Sequence, residues 1–264
     1  MGEDYVESTF ERSGYRLSAD EAHDLTARLL GEQPATVDDK YVCYEISGTD
    51  QFSDIGRYVE QTRFGEMFDN SPEEMEKEYG PYEMASTFFI SVDQENKVPT
   101  GTLRIIRSSS SGLKTINDIS GPPLSLSSDA VQQAHAIDTF ENCWDVGTVA
   151  AMPGYPSGAA SIQLYRASYL AAMREHVPHA VSVIDSNVLP KLTNYLGIPF
   201  VPLAGTEPFE YLGSKSSQAV YCYIPEFYEK TNRRRFTLRG LLARKALNRL
   251  VMGSEDHTLM PPRL

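Results

Sequence analysis

The sequence predicts an α/β fold in which a mixed, mostly antiparallel sheet is flanked by helices. From Ser86 onward, segments with strand or helix character follow in the order strand, strand, strand, helix, strand, helix, strand, strand. Helices that cross between strands in this way are typical of mixed sheets. The 264 residues are 41% hydrophobic and 23% charged, a composition that suits one large folded domain and argues against a disordered chain.

The N-terminal part of the chain begins with a predicted helix and a short strand. Ser18 and Glu21 form a capping box, in which each side chain accepts a hydrogen bond from the other residue's exposed backbone amide. Leucines at helical spacing continue the helix to Gly31, and a run of strand-forming residues follows at 41–46. We therefore expect a helical and strand extension over residues 1–54.

Two helices and a hairpin are predicted next. Apolar residues at helical spacing predict a helix over residues 55–68. A second helix begins at Ser71 and Pro72, because the serine caps the helix and the proline suits its first turn. Strands at 86–93 and 100–106 are joined by a polar turn of hairpin length.

The composition changes between residues 108 and 139. Four consecutive serines, a Gly-Pro-Pro and a second serine cluster predict a long surface excursion with one short helical turn at 112–119. We interpret this segment as an insertion into the domain, because the strand that follows it needs the preceding hairpin as a neighbour.

Strands and helices alternate after the insertion. A strand over 143–151 leads through a short loop into a long helix that ends near His176. Gly197 is the residue type that most often ends a helix in the left-handed conformation. The remaining predicted elements are a strand at 180–184, a helix at 189–196, and strands at 200–203 and 219–225.

Charge and cysteine usage limit the partners of the chain. Acidic residues outnumber basic ones by 36 to 24, giving a net charge of −12, which opposes binding to nucleic acid. The chain has three cysteines, Cys43, Cys143 and Cys222. No two of them form a CxxC motif, so the sequence predicts neither a disulfide framework nor a metal site. The N-terminus lacks the basic start and apolar core of a secretory signal, and a reducing cytoplasm is the expected setting.

The C-terminal segment, residues 229–264, has the opposite charge. Eight Lys and Arg residues and no acidic residue lie between Lys230 and Arg249, interleaved with leucines at helical spacing. Three interpretations stay open for this basic amphipathic helix: packing on its own domain, binding of an acidic carrier protein, or attachment to an anionic membrane.

The clearest functional signal is the loop between the strand at 143–151 and the helix that follows. Small residues there let the backbone approach a ligand, and exposed amides at a helix start attract anions. Ser157 can cap the helix, which leaves the amides of Gly158, Ala159 and Ala160 free to face a pyrophosphate.

With this layout the chain resembles the GNAT superfamily of acyl-CoA-dependent N-acyltransferases, whose pyrophosphate loop reads Gln/Arg-x-x-Gly-x-Gly/Ala. Gly158 and Ala160 match its last two fixed positions, while Tyr155 stands at the first. The resemblance implies a GNAT-like three-layer domain over residues 55–228, acyl-CoA as co-substrate and no permanently bound cofactor. The family's tyrosine general acid would fall at Thr193, so that role is not carried over.

A narrower resemblance, over residues 55–225, is to the acyl-homoserine-lactone synthase and long-chain N-acyl amino acid synthase branch. The segments RYVEQTRFGEMF, FFISVDQENKVPTGTLRII, GLKTINDI and WDVGTVAA are similar to its helix, hairpin, Asp-containing turn and Trp-Glu-x-Ser-Arg-Phe strand. Arg104 matches the hairpin arginine, Trp144 the tryptophan and Asp145 the glutamate. The pair at 147–148 is Gly-Thr where the branch has Ser-Arg, which argues against homoserine lactone chemistry.

The resemblance implies a small set of site residues. Acyl transfer needs a base near the amine, polar backbone groups at the developing oxyanion and positioning of CoA. Asp145 is expected to act as base or amine anchor, and Asn187 to contact the pantetheine arm or the leaving sulfur. The amides of Val149 and Ala151 are expected to hold the carbonyl or the pantetheine arm. The residues expected to bind the substrate are Arg63, Arg104 and Trp144.

Each of these side chains also has a purely structural interpretation. Asp145 can simply point outward from its strand, Arg104 can form an ordinary surface ion pair, and Trp144 can belong to the core. The resemblance implies transfer of an acyl group from acyl-CoA, or from an acyl-carrier protein, to the amine of a small molecule such as an amino acid. The alternatives are a catalytically inactive sensor that binds acyl-CoA or another ligand, and an interaction protein.

Overall fold

The computed structural model describes residues 14–34, 40–155 and 157–227. Within these ranges the chain forms eight strands and seven helices. The basic segment predicted at 229–264 lies outside the described residues, so its three interpretations stay predictions. No described helix combines the length and the apolar character needed to cross a bilayer.

All eight strands join one sheet, in the spatial order β1-β2-β3-β4-β5-β8-β6, with β7 paired to β8. The β4–β5 pair is parallel and every other pair is antiparallel, which confirms the predicted fold class. The strands are β1 (Tyr41–Ser47), β2 (Ser86–Asp93), β3 (Val98–Ile106), β4 (Cys143–Ala151), β5 (His179–Asp185), β6 (Val201–Pro202), β7 (Phe209–Tyr211) and β8 (Ser214–Tyr223).

Apart from α5, which was not predicted, the helices lie close to the positions that the sequence predicts. The last of them continues into a wider helical turn, Leu192–Leu196, which ends at Gly197 with a φ of 71°. The helices are α1 (Ala19–Glu32), α2 (Ser53–Phe68), α3 (Pro72–Tyr79), α4 (Lys114–Ser120), α5 (Ser128–His135), α6 (Ser157–Arg174) and α7 (Leu189–Lys191).

Capping boxes begin two of these helices. The Ser18 amide donates to Glu21 Oε2 over 2.9 Å, and the Glu21 amide donates back to Ser18 Oγ over 3.3 Å. The same reciprocal bonds join Ser71 and Glu74 at the start of α3, over 2.7 and 3.2 Å. Each such cap contributes about 1 kcal/mol by satisfying amides that have no partner inside the helix.

The sheet buries different helices on its two faces because neighbouring strand residues point in opposite directions. Phe89 and Leu103 pack with Leu164 of α6 on one face. Phe88, the neighbour of Phe89, packs with Leu29 of α1 on the other face. The predicted N-terminal extension thus contributes to the core of the sheet, since α1 packs on it and β1 pairs with β2.

The prediction of a surface excursion at 108–139 is wrong for much of that segment. It contains α4 and α5, whose Ile116, Ile119 and Val131 are buried against Cys143 and Val181 of the central strands. The serines indicated an exposed loop, but they serve as turn and cap residues between apolar residues that are buried. Ser127, for example, caps α5 by accepting the Ala130 amide over 3.2 Å. The strand β7 was also missed, because three residues are too few to show alternation.

Candidate active site between strands β4 and β5

The sheet opens in its centre. Strand β4 pairs with β5 at Cys143, Trp144 and Asp145, after which β4 continues along β3 as far as Ala151. Strand β5 likewise continues along β8 as far as Asp185. Beyond Asp145 the two central strands therefore diverge, and their facing edges are available to a ligand.

The backbone of β4 presents its polar groups to this opening. The Met152 amide donates to the Thr100 carbonyl of β3 over 3.0 Å. Because the backbone groups of successive strand residues point to opposite sides, those of Val149 and Ala151 point away from β3, toward the opening. Val149 is 36% exposed although it lies in a central strand, as expected of a residue beside a gap. The position predicted for the two amides is therefore compatible with their proposed role.

A β-bulge marks the place where the opening begins. Arg104 of β3 pairs with Thr148, whereas Ile105 pairs with Val146, so Gly147 is an extra residue in β4. An extra residue bends its strand and increases the local twist. The bulge lies directly after the last β4–β5 pair and so helps to turn β4 away from β5.

The predicted donor loop follows β4 directly. The chain passes from Ala151 through residues 152–155, and α6 begins at Ser157. The first amides of any α-helix lack intrahelical acceptors, so the start of α6 supplies the backbone donors of Ser157 to Ala160. These donors attract anions, and they lie one short loop away from the opening.

Asp145 is fully buried on β4 and is already engaged with α4. Its two carboxylate oxygens accept the Thr115 amide over 2.5 Å and the Thr115 hydroxyl over 2.9 Å. Burial raises the pKa of Asp145 to about 7, and the two bonds from Thr115 only partly oppose that rise. Such a carboxyl can take up a proton near neutral pH, but an amine reaches it only if the first turn of α4 moves away from β4.

Asp145→Asn is expected to flatten the pH dependence of stability. A pKa of about 7, raised from the usual value of about 3.9, means that the folded protein binds the proton more tightly than the unfolded chain. This stabilisation is complete below about pH 4 and is lost as pH rises through about 7. Urea unfolding should therefore show wild-type stability falling between about pH 5 and pH 8, and the asparagine variant should lack this fall.

Asp93→Asn provides the matched control. Asp93 is also buried, but the Asn96 amide, the Asn96 side chain and Lys40 outweigh the effect of its burial and hold its pKa below the usual range. Its stabilisation is lost only as pH falls, so this variant should keep the wild-type slope above about pH 5. An Asp145→Asn protein that keeps the slope would contradict the assignment of the raised pKa to Asp145.

Arg104 is fully buried and faces α2. Its Nε and Nη2 donate to the two carboxylate oxygens of Glu60 over 3.0 and 2.6 Å. Its Nη1 donates to Glu83 over 3.1 Å, and its Nη2 also donates to the Tyr15 hydroxyl over 2.5 Å. Glu60 in turn accepts the hydroxyl of Thr148. A substrate carboxylate could reach Arg104 only by displacing one of these partners, so the structure gives it internal partners where the sequence analysis expected a ligand.

The other predicted site residues lie apart from one another. Trp144 is 4% exposed, packs against α6 and lies under the Arg107 guanidinium, 5.3 Å from the ring centre. Arg63 is partly exposed on α2 and pairs with Glu66 over 2.5 Å. Asn187 is exposed just after β5 and donates its amide to Asp185 over 2.7 Å. The structure thus places the predicted backbone groups of β4 and of the start of α6 one short loop apart, whereas the predicted side chains lie in separate places.

A second buried cluster beside Asp145 was missed by the sequence analysis. Lys114, at the start of α4, is 2% exposed, and its ammonium contacts Glu78 over 2.9 Å, Asp118 over 2.8 Å and the Tyr211 hydroxyl over 3.2 Å. Only the spacing of Lys114 and Asp118, four residues apart on a helix, was visible in the sequence. Among the described residues, no group of three or more His, Cys, Asp or Glu side chains is arranged to hold a metal ion.

Comparison with known proteins supports the fold. No protein-family model and no curated protein matches the chain. Among solved structures, it is similar to FeeM, an N-acyl amino acid synthase from uncultured soil microbes. Sequence identity is 19% and the TM-score is 0.52, over 76% of this chain and 97% of that chain.

Two further solved structures show weaker similarity. The CoA-dependent acyl-homoserine lactone synthase BjaI, with SAM and isopentyl-CoA, has 11% identity and a TM-score of 0.47, over 72% of this chain and 89% of that chain. A putative N-acetyltransferase from Lactobacillus plantarum has 12% identity and a TM-score of 0.48, over 70% of this chain and 99% of that chain. The likeness to the N-acyl amino acid synthase shows that the chain shares the fold of that protein, in agreement with the mixed α/β architecture that the sequence predicts.

Proposed function

We propose that this protein is an N-acyltransferase that moves an acyl group from an acyl thioester to the amine of a small molecule. Acyl-CoA is the preferred donor, and an amino acid is the preferred class of acceptor. The amine attacks the thioester carbonyl directly in a ternary complex, without a covalent acyl-enzyme.

The observation that carries this proposal is the opening between β4 and β5. An extended arm that ends in a thioester can lie along the free edge of β4 as an additional strand would. The backbone groups of Val149 and Ala151 point toward it there, and the start of α6 lies beyond them for an attached diphosphate. The backbone amides of β4 and of the start of α6 thus follow one another along the protein, which suits an acyl thioester with a charged diphosphate at one end and a reactive carbonyl at the other.

The reaction requires few side chains. The amine nitrogen forms a bond to the carbonyl carbon, the carbonyl oxygen becomes an oxyanion, and the carbon–sulfur bond then breaks to release a thiolate. A backbone amide of β4 aimed at the carbonyl oxygen stabilises the oxyanion. The proton lost by the nitrogen passes to a base, for which Asp145 is proposed once the first turn of α4 has moved away from it, and this proton then passes to the thiolate, which leaves as the free thiol.

The remaining site assignments are proposals of the same kind. Arg63 is the better candidate for a substrate carboxylate, because its guanidinium is partly exposed and its Glu66 partner is on the surface. Arg104 and Trp144 are proposed to support the fold around the site and not to contact the substrate, since both are buried. Asn187 lies after the end of β5 and is proposed to contact the pantetheine arm or the leaving sulfur.

Titration with a series of acyl-CoAs of increasing chain length tests the proposal. Calorimetry of the full chain should show saturable binding with an affinity that depends on acyl length. Mixtures of the best donor with single amino acids should then release free CoA thiol, measured with a thiol reagent, and form an amide detected by mass spectrometry. Absence of binding to every acyl-CoA would contradict the donor assignment.

One observation favours a second candidate function. The position where GNAT enzymes carry a tyrosine general acid is Thr193, whose hydroxyl donates to the Leu189 carbonyl over 3.1 Å. A protein that keeps the donor site but lacks efficient proton transfer would serve as an acyl-CoA sensor. Tight acyl-CoA binding without thiol release for any amine would identify that function.

A further inference from the structure

Two neighbouring backbone carbonyls of β4, those of Val146 and Gly147, lie beyond the last backbone pair with β5. The last backbone pair between β4 and β5 joins Asp145 to Val181. The next two residues of β4 are Val146, which still pairs with Ile105 of β3, and Gly147, the extra residue of the bulge. Both residues are partly buried, and backbone carbonyls withdrawn from water need hydrogen-bond donors, which groups other than the β5 backbone supply here.

Ser182 of β5 donates to the first of these carbonyls. Its hydroxyl lies 2.8 Å from the Val146 oxygen, and the residue is 4% exposed. Its own backbone is held on the opposite side by pairing with Val220 of β8. A side chain one residue beyond the last backbone pair therefore spans the narrow end of the opening.

Tyr79, the last residue of α3, donates to the second carbonyl. Its hydroxyl lies 3.4 Å from the Gly147 oxygen, a longer contact than that of Ser182. The ring is held independently of the hydroxyl, with the Arg104 guanidinium 4.5 Å and the Lys114 ammonium 5.3 Å from its centre. Burial raises the pKa of Tyr79, so the hydroxyl keeps its proton at neutral pH and remains a donor.

We infer that Ser182 and Tyr79 are positioning residues for acyl transfer, which hold the β4 bulge in the shape that presents the Val149 and Ala151 backbone to the thioester. This inference rests on the proposed function. The two hydroxyls bind to consecutive residues of one strand from two different elements. Together they determine where β4 separates from β5, and therefore where the reactive end of the donor comes to rest.

The consequence for the reaction is specific to the chemical step. The charged end of the donor is proposed to bind at α6, away from the bulge, and only its arm lies along β4, so donor affinity should depend on these hydroxyls less than the chemical step does. A displacement of the β4 amides of about 1 Å can lower a reaction rate about a hundredfold. Loss of either hydroxyl should therefore reduce kcat by a larger factor than it weakens donor binding.

The experiment compares Ser182→Ala and Tyr79→Phe with matched variants. Ser86→Ala removes another buried serine hydroxyl that donates to a backbone carbonyl, that of Tyr82 over 3.0 Å. Tyr82→Phe removes another buried tyrosine hydroxyl, which accepts a bond from the Asn117 side chain. Neither control contacts β4 through its hydroxyl, so both report the cost of losing a buried hydrogen bond elsewhere.

Steady-state kinetics and donor calorimetry separate the possible outcomes. We expect Ser182→Ala to lower kcat by about tenfold to a hundredfold and Tyr79→Phe to lower it less, because its contact is longer. The dissociation constant for acyl-CoA should change by a smaller factor than kcat, and melting temperatures should match those of the two controls. Values of kcat equal to those of the controls would overturn the inference.

Amide hydrogen exchange tests the same inference without turnover. If the wild-type protein transfers no acyl group, the proposed function fails, and exchange at residues 146–151 then decides. Faster exchange there in Ser182→Ala and Tyr79→Phe than in the controls would support a bulge held by these hydroxyls. Unchanged exchange would overturn it.

Discussion

Replacing Arg104 by methionine is expected to lower the free energy of unfolding by about 3–5 kcal/mol. The substitution keeps much of the side-chain volume but leaves the Glu60 carboxylate buried without its bidentate partner. Glu60 and Arg104 are both fully buried, with their closest charged atoms 2.6 Å apart. Urea unfolding at neutral pH, with circular dichroism as the probe, measures the loss.

The size of this effect follows from what remains after the substitution. Burying a carboxylate is costly, and the cost is offset only while its cation and hydrogen bonds are present. Thr148 and, over 3.5 Å, the Tyr15 hydroxyl still donate to Glu60 in the variant, but neutral hydroxyls do not neutralise a charge. The aromatic ring of Phe88, which lies 4.4 Å from the guanidinium carbon, would also lose its cation.

Arg174→Met is the matched control for this prediction. Arg174 pairs with Glu45 over 2.8 Å, but its side chain is 58% exposed. Exposed ion pairs contribute about 0–1 kcal/mol because water and salt screen them. The double variant Arg104→Met, Glu60→Gln should recover part of the stability, since the unpaired charge is gone. A loss in Arg104→Met no larger than that in Arg174→Met would show that the buried pair is not a major source of stability.

Gly158→Glu is expected to weaken acyl-CoA binding at least about a hundredfold, since opposed like charges cost several kcal/mol and each 1.4 kcal/mol is a factor of ten. The substitution adds a carboxylate to the first turn of α6, where the diphosphate of the donor is proposed to bind. The added side chain also keeps a ligand from approaching the backbone closely. Calorimetry with the best acyl-CoA measures the loss.

The fold should tolerate this substitution, which makes the result interpretable. An acidic side chain near a helix N-terminus interacts favourably with the helix dipole, so thermal stability should not fall. Gly31→Glu is the control, because Gly31 lies in the last turn of α1 and a side chain there meets open space. Donor affinity equal to wild type in Gly158→Glu would place the diphosphate elsewhere and would remove the start of α6 from the site.

Local signals in the sequence were sufficient for most elements. The capping boxes at Ser18 and Ser71 and the glycine at 197 act within a few residues, so their hydrogen bonds can be inferred from spacing. The strand β4 was predicted with its observed bounds because its flanks change composition sharply. Residues 108–139 contain both cap serines and buried isoleucines, and only the packing shows which of them face the core.

The sequence by itself determined the order of most elements, the fold class and the position of the loop between β4 and α6, because periodicity, caps and turns are local. Only the tertiary structure decided the roles of the charged side chains. Arg104 meets Glu60 from 44 positions away, and Asp145 meets Thr115 from 30 positions away. Both partners come from helices laid across the sheet, and the opening between β4 and β5 exists only once the strands have paired. Spacing along a chain does not encode such contacts, because they depend on how separate elements pack.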